Sequence, residues 1–532
     1  MARLRIGIVD LVARGPTRAL YARVMHANLA SIMPQVLAVW CEERGHDVRL
    51  ICYTGFEDLL EELPADIDLL FIGAFSQGAQ LAYAVSAMFR ERGVVTCLGG
   101  PHARCYPEDS AKYFDYVLGF TDQDTLDRVL DECMTHRPLG LRLSAPGQPR
   151  TLPGVRERWK FIEPTLAKAP TFKLVPMLGS LGCPYTCSFC IDSEVPYQPL
   201  DFQQMRDDLR FLLGKLKRPR VGWHDPNFGV RFDDYLDAIE EAVPPGRIDF
   251  VAESSLSLLS EERLPRLERN GFRAMLPGIE SWYDLGNKSK ARSKKGREKL
   301  DQVSEHANLI SQHLDYLQTN FVLGLDCDEG PEPFELTKQF IDRSPAAFPG
   351  YSLLTAFGRA APLNLQYQKD GRVLGFPFHL LNNHHAMNVK PLNYEWIEFY
   401  DLVIDLTKHS FRPRAVARRF AATGGVIPRL MNVVRAVSSE GKGRIEYFTE
   451  IRRRLDADPG FRDYFEGETA TLPEFFVDRV RTDLGPLWEF LPEDALYHDP
   501  LAYLKEERTK EQVTELASLR GSAERVAPSP VN

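Results

Sequence analysis

Short apolar runs alternate with helix-period stretches along most of the chain, and the alternation starts twice. Residues 4–9, 47–53, 68–74, 94–98 and 114–119 read as strands, and 32–44, 81–91 and 122–133 carry helical periodicity. Near-continuous apolar strands separated by helices predict a parallel sheet covered on both faces, open and doubly wound. Residues 136–171 hold Pro138, Pro146, Pro149, Pro153, Pro164 and Pro170 with little periodicity, and are expected to form an ordered linker. The alternation resumes at 172, with strands expected at 172–177, 220–223, 248–253, 274–280, 316–323 and near 351–355. Helical stretches fall between them at 202–216, 235–242, 260–270, 297–313 and 332–341. Beyond 361 the pattern becomes mainly helical, over 394–408, 413–437 and 446–455, with a break at Gly424 and Gly425. From about Ala517 the chain is rich in Ser, Ala and Pro and is expected to fray. The expected class is α/β: a doubly wound Rossmann-like domain over 1–135, a linker over 136–171, and a second strand–helix domain over 172–360. A mainly helical C-terminal domain over 361–516 and a flexible tail over 517–532 complete the organisation.

Composition narrows the partners. The 532 residues are 44% hydrophobic and 26% charged, enough for two or three full cores. The net charge of −9 disfavours a nucleic-acid partner, because such proteins are usually basic. The basic clusters at 288–299 and 412–419 are short and read as solvated helix faces. No apolar run reaches the roughly 18 residues a membrane span needs. The start reads as a strand and not as a signal peptide. Nine cysteines, three of them clustered, fit a reducing compartment better than a disulfide scaffold, so the expected location is the cytoplasm.

The chemistry concentrates at 179–192, a loop that follows the apolar run 172–177. Cys183, Cys187 and Cys190 have C-x₃-C-x₂-C spacing. Thiolates are the usual protein ligands of iron–sulfur clusters, and three of them leave one iron of a four-iron cluster without a protein ligand. Active sites of βα architectures collect at this end of the strands. Structural zinc normally takes four Cys/His ligands, often as paired knuckles. No second C-x₂-C occurs here, and the nearest downstream cysteine is Cys327.

The spacing, with the aromatic Phe189 before the third cysteine, resembles the radical S-adenosylmethionine (SAM) enzymes. The resemblance implies a [4Fe–4S] cluster on Cys183, Cys187 and Cys190. It implies SAM bound to the open iron and cleaved by one electron to a 5′-deoxyadenosyl radical, with an electron donor such as flavodoxin or ferredoxin. It also implies a partial (β/α)₆ barrel, TIM-like, over about 172–360. Strand ends match the family's ligand-contact positions: Asp225 to Phe228 after the second strand, Glu253 after the third, Gly278 to Glu280 after the fourth, and Asn320 to Gly324 at the fifth. A carboxylate accepts ribose hydroxyls, and a glycine's amide faces the SAM carboxylate. Each residue also has a structural reading; Asp225 caps a turn before Pro226, or Glu280 pairs with Lys288.

Residues 1–135 resemble the cobalamin-binding domain found ahead of the radical SAM barrel in one subgroup. Gly99, Gly100, Pro101 and His102, then Asp115 to Gly119, carry that resemblance. The glycines would let backbone approach a flat macrocycle. Two features depart from it: Gly119 runs on through Phe120, Thr121 and Asp122 where a Gly-Glu-Gly-Glu-like turn is usual, and no Asp-x-His-x-x-Gly motif is present. A packing or substrate domain is the alternative; a nicotinamide site lacks its motif, since no G-x-G-x-x-G follows the first strand. Cobalt is expected to carry no histidine. Residues 10–23 contain none, His26 lies just beyond, and His102 is expected against a corrin side chain. His384 and His385, adjacent in a loop, could bind metal or substrate, but such a loop pair is more often surface or packing. The leading expectation is methylation of an unactivated carbon in a small-molecule or lipid substrate by a cobalamin-dependent C-methyltransferase. A radical cyclase or rearrangement enzyme, and an iron–sulfur or cobalamin sensor, are the other readings.

Overall fold

The computed structural model describes residues 3–501 apart from 65, 136, 194, 284–294 and 383–385. Lys288, His384, His385 and the 517–532 tail lie outside the described residues.

Six strands, β1 (Arg5–Leu11), β2 (Asp47–Tyr53), β3 (Leu69–Ala74), β4 (Val95–Gly99), β5 (Tyr116–Leu118) and β6 (Leu141–Leu143), form one parallel sheet in the order β2-β1-β3-β4-β5-β6. Alternate residues of the central strands enter opposite cores. Val9, Leu11, Leu70 and Ile72 join one apolar cluster, while Ile6, Ile8, Leu69 and Phe71 join another. Both faces are therefore covered, which is why these strands read as unbroken apolar runs. The order reverses between β1 and β3, and ligands of such sheets bind beyond the strand ends at that point.

The stretch 136–171 is more structured than its prolines suggested. β6 adds a strand to the sheet, and Val155–Lys168 is a 14-residue helix with Pro164 inside it. Val155, Trp159, Ile162 and Leu166 form its buried stripe at i, i+4, i+7 and i+11. That stripe outweighs the proline, whose cost is one lost backbone bond and local crowding.

The second sheet is also parallel. β7 (Val175–Met177) is followed by a two-stranded antiparallel pair, β8 (Ser180–Leu181) with β9 (Gln198–Pro199). β10 (Arg220–Trp223), β11 (Asp249–Ala252), β12 (Phe272–Met275), β13 (Gly278–Glu280), β14 (Tyr316–Leu323) and β15 (Ala347–Leu353) complete the set. Strands β7, β10, β11, β12, β14 and β15 lie side by side in chain order, each separated from the next by a helix. Their apolar residues continue the core that begins under the first sheet: Val9, Val175, Val221, Phe250 and Met275 belong to one cluster.

The helices after 395 pack an aromatic core of Trp396, Tyr400, Phe461, Phe465 and Phe476. This region reaches both sheets. Gln80 donates to the Ala495 carbonyl (3.0 Å) and accepts from the His379 amide (2.6 Å), while Arg435 donates to Gln318 on β14 (2.9 Å).

Candidate functional site

The three cysteines sit on a loop whose shape its neighbours dictate. The β8–β9 pair closes its base. Gly182 has φ +64°, and a Cβ there would stand 2.2 Å from the Pro196 carbonyl oxygen, so only glycine fits ahead of Cys183. Inside the loop the Cys183 amide donates to the Val195 carbonyl (3.2 Å) and the Cys190 amide to the Cys187 carbonyl (2.9 Å). The Asp192 amide donates to Cys190 Sγ at 3.4 Å, the kind of bond that stabilises a metal-bound thiolate. Cys183 and Cys187 are buried and Cys190 is half-buried. Among the described residues no three His, Cys, Asp or Glu side chains gather about one point as a single ion requires. An iron–sulfur cluster places its thiolates on separate irons and does not require them to meet at one point. The first sheet also holds the loop: Arg104, in the helix Pro101–Cys105, donates to Asp192 Oδ1 (3.1 Å) and to the Ile191 carbonyl (2.9 Å).

Asp225, at the end of β10, is 1% exposed and points into the base of this loop. It accepts from the Gly179 amide (3.0 Å), the Ser180 hydroxyl (2.6 Å) and the Tyr235 phenol. Burial pushes its carboxyl upward, and these donors pull it back. A Cβ on Gly179 would lie 2.3 Å from the Tyr235 ring, so tyrosine and carboxylate together clamp the chain just before the cysteines.

A cavity of about 790 Å³ opens between the two sheets and the C-terminal helices. Residues 12–17 after β1 and 75–77 after β3 line it, which places the switch point of the first sheet on its wall. Phe189 and Cys190 line it from the cysteine loop, Glu280 and Val322 from the second sheet, and Glu440, in a turn, with Arg444 and Asp483, on helices, from the C-terminal region. Arg14 donates to the His379 carbonyl (3.0 Å) and pairs with Asp483 (3.6 Å). Against the cost of burial, His379 and Arg14 hold the Asp483 carboxyl down at about 2, while burial pushes His379 down to about 4. At neutral pH a neutral histidine therefore supports an ionised carboxylate on this wall.

Glu280 is the one non-glycine residue with positive φ among the described residues, at 64°. The β13–β14 register shifts between Gly278 and Glu280, a bulge that re-aims the side chain. A Cβ on Gly278 would meet Glu280 Oε1 at 1.9 Å, so the carboxylate folds over that glycine. Such backbone strain persists only where the surroundings over-determine it, and it clusters at functional sites. Asp328 stands behind this turn, accepting from Ser281 Oγ (3.2 Å), with its carboxyl pushed up to about 7 by burial.

The remaining sequence candidates scatter. A Cβ on Gly99 would meet no atom within 4 Å, whereas Gly100, at φ +91°, would clash with the Ala74 carbonyl at 2.9 Å. His102 is fully buried, 2.6 Å from the Tyr83 hydroxyl and 3.3 Å from Ser76 Oγ, and burial pushes it down to about 3. Its ring points into the core and is not part of the cavity lining. His26 is, with Nδ1 2.8 Å from the Thr54 carbonyl. Glu253 is exposed at the end of β11, and Asn320 accepts from Gln318 Nε2 (2.8 Å); neither lines the cavity. Sequence reasoning missed Arg14, Glu440, Arg444 and Asp483; His26 was noted just beyond the loop after the first strand, and the structure puts it on the cavity wall. The loop after the first strand, which holds Arg14, stood out in the sequence only as the place a cobalt ligand would come from; the C-terminal residues carried no signal.

Two parallel-sheet units thus meet across a three-cysteine loop. The fold is similar to that of the radical SAM methyltransferase TsrM from Kitasatospora setae, solved with tryptophan and a SAM analogue (TM-score 0.54, 13% identity, 90% of this chain and 99% of that one). It is similar also to that of the cobalamin-dependent enzyme OxsB with aqua-cobalamin bound (TM-score 0.53, 12% identity, 92% and 80%). In sequence, the chain is 23% identical over 369 residues to bacteriochlorophyllide d C-12(1)-methyltransferase of Chlorobaculum tepidum, covering 68% of this chain and 78% of that protein. The C-8(2)-methyltransferase of the same organism is 23% identical over 332 residues, covering 58% and 70%. No family model matches the chain.

Proposed function

We propose that this chain is a cobalamin-dependent radical SAM C-methyltransferase that acts on an unactivated carbon of a small-molecule or lipid substrate. The observation that carries the reading is the shared cavity: Cys190 and Glu280 face the same 790 Å³ as the switch-point loops of the first sheet. In this reading 172–360 is the partial barrel and 1–135 the cobalamin-binding domain. Cys183, Cys187 and Cys190 hold the cluster, and Asp225 holds the loop that carries them. Glu280, fixed by its bulge, accepts hydroxyl bonds from the SAM ribose. The open space beyond Gly99 and the residues after β1 receive the corrin. When bound, cluster and SAM supply a carbon-centred radical and cobalamin supplies a methyl group. The walls from three parts of the chain orient the reactants and exclude water.

Anaerobic incubation with SAM and dithionite tests the assignment. Appearance of 5′-deoxyadenosine and S-adenosylhomocysteine is expected; intact SAM would favour a sensor. Glu280→Gln is expected to weaken SAM binding by about tenfold or more, since a charge-assisted hydrogen bond contributes roughly 1.5–3 kcal/mol. Calorimetry on the reconstituted variant measures it, and an unchanged affinity returns Glu280 to a structural role. Electron paramagnetic resonance of the cobalt(II) form is expected to lack nitrogen splitting from an imidazole. His26 is the histidine to exclude, because His102 is buried away from the cavity. Splitting abolished by His26→Ala would overturn that expectation.

A further inference from the structure

The helix Val426–Val437 is built the wrong way round for a protein in water. Its single fully buried side chain is Asn432, which donates to Thr423 Oγ1 (3.0 Å). Its apolar stripe, Val426, Leu430, Val433 and Val437 at i, i+4, i+7 and i+11, faces solvent at 72%, 55%, 39% and 71% exposure. Polar contacts hold the inner side: Arg429 donates to the Thr423 carbonyl (2.8 Å), and Arg435 stacks 3.6 Å over Phe348 beside Glu440. Ile427 and, on the preceding helix Pro413–Ala422, Phe420 are exposed too. A contiguous apolar face of this kind marks a contact surface.

Charge identifies the occupant. Residues 406–439 contain seven Lys or Arg and no Asp or Glu, in a chain whose net charge is −9. Asp342, from another helix, pairs with Arg412, Arg418 and His409. Lys408 and Arg414, at the start of the hairpin, and Lys442, just past its end and paired with Glu446, remain exposed. An apolar stripe flanked by cations is the pattern of a helix lying in the surface of an anionic bilayer. The position fits as well. Ser439 and Glu440, just beyond the stripe, line the cavity, whose wall also includes Leu29 and Phe75, 52% and 49% exposed. We infer that the hairpin of residues 413–437 docks the protein on an anionic lipid surface, with the mouth of its cavity turned toward that surface. An amphiphilic substrate then reaches the cavity without crossing water.

The test is co-sedimentation of the full chain with phosphatidylserine/phosphatidylcholine vesicles against phosphatidylcholine alone, at low and high salt. Binding to the anionic vesicles, weakened by salt, is expected. The exposed-site variant Leu430→Ser/Val437→Ser is expected to lower partitioning by about tenfold or more, and Arg414→Glu to lower it on anionic vesicles only. Circular dichroism and iron content identical to the parent protein show that the variants fold. No vesicle binding, equal binding to both lipids, or full binding by the double variant overturns the inference. Self-association that the double variant abolishes, without vesicle binding, gives the face to a second copy and overturns it likewise. Lipid binding is read independently of SAM turnover, so failure of the methyltransferase assignment leaves this result interpretable.

Discussion

Cys187→Ala is expected to remove most of the iron that the parent protein binds on anaerobic reconstitution. In the proposed assignment three thiolates are the whole protein ligand set, so losing one leaves two irons of the cluster without a protein ligand. The other cysteines are poor substitutes. Burial pushes the Cys41 and Cys105 thiols up to about 12 and Cys133 to about 11, and raises Cys52 and Cys97 as well. Such groups ionise poorly at neutral pH and make poor metal ligands. Cys327 lies against Ser281 Oγ and Asp328 Oδ1. Cys183→Ala and Cys190→Ala are expected to behave as Cys187→Ala does, whereas Cys41→Ser or Cys327→Ser keeps its iron. Iron per chain and the visible absorbance of the reconstituted protein are the measurements. Full iron and full absorbance in Cys187→Ala would end the cluster assignment.

How much of this was legible in the sequence depended on range. The central strands of both sheets were legible because burial on both faces leaves unbroken apolar runs such as Leu69–Ala74. β6 and the helix Val155–Lys168 were not, because six prolines masked a clear stripe from Val155 to Leu166. The cysteine loop was legible as a spacing. Its clamp was not, because a polar strand end shows that a side chain lies near a site but not which way it points. Asp225 and His102 illustrate this: both follow strands, and both turn inward onto partners, Tyr235 and Tyr83, that only the fold brings near. The walls supplied by Glu440, Arg444 and Asp483 were illegible for the same reason. Their neighbours on the cavity, such as Arg14, lie hundreds of positions away in the chain.

Asp225 also gives the sharper test of how the site is organised. If its carboxylate touched SAM, Asp225→Asn would weaken SAM binding and leave the apo-protein as stable as before. The geometry points the other way. One buried carboxylate collects the Gly179 amide, the Ser180 hydroxyl and the Tyr235 phenol at the base of the loop. An amide in its place turns an NH₂ group toward at least one of those donors and leaves it unsatisfied. A buried donor left without its partner costs roughly 1–3 kcal/mol, and the bonds that remain lose the charge of the carboxylate that strengthened them. Asp225→Asn is therefore expected to destabilise the apo-protein by about 3 kcal/mol or more and to lower iron retention, because the loop before Cys183 loses its anchor. Tyr235→Phe removes a single donor and is expected to cost about half as much, with a proportionate loss of iron. Thermal unfolding of the apo-proteins, read beside iron content after reconstitution, separates the two roles. Unchanged unfolding and unchanged iron in Asp225→Asn, with SAM affinity alone reduced, would move this carboxylate from the loop to the ligand.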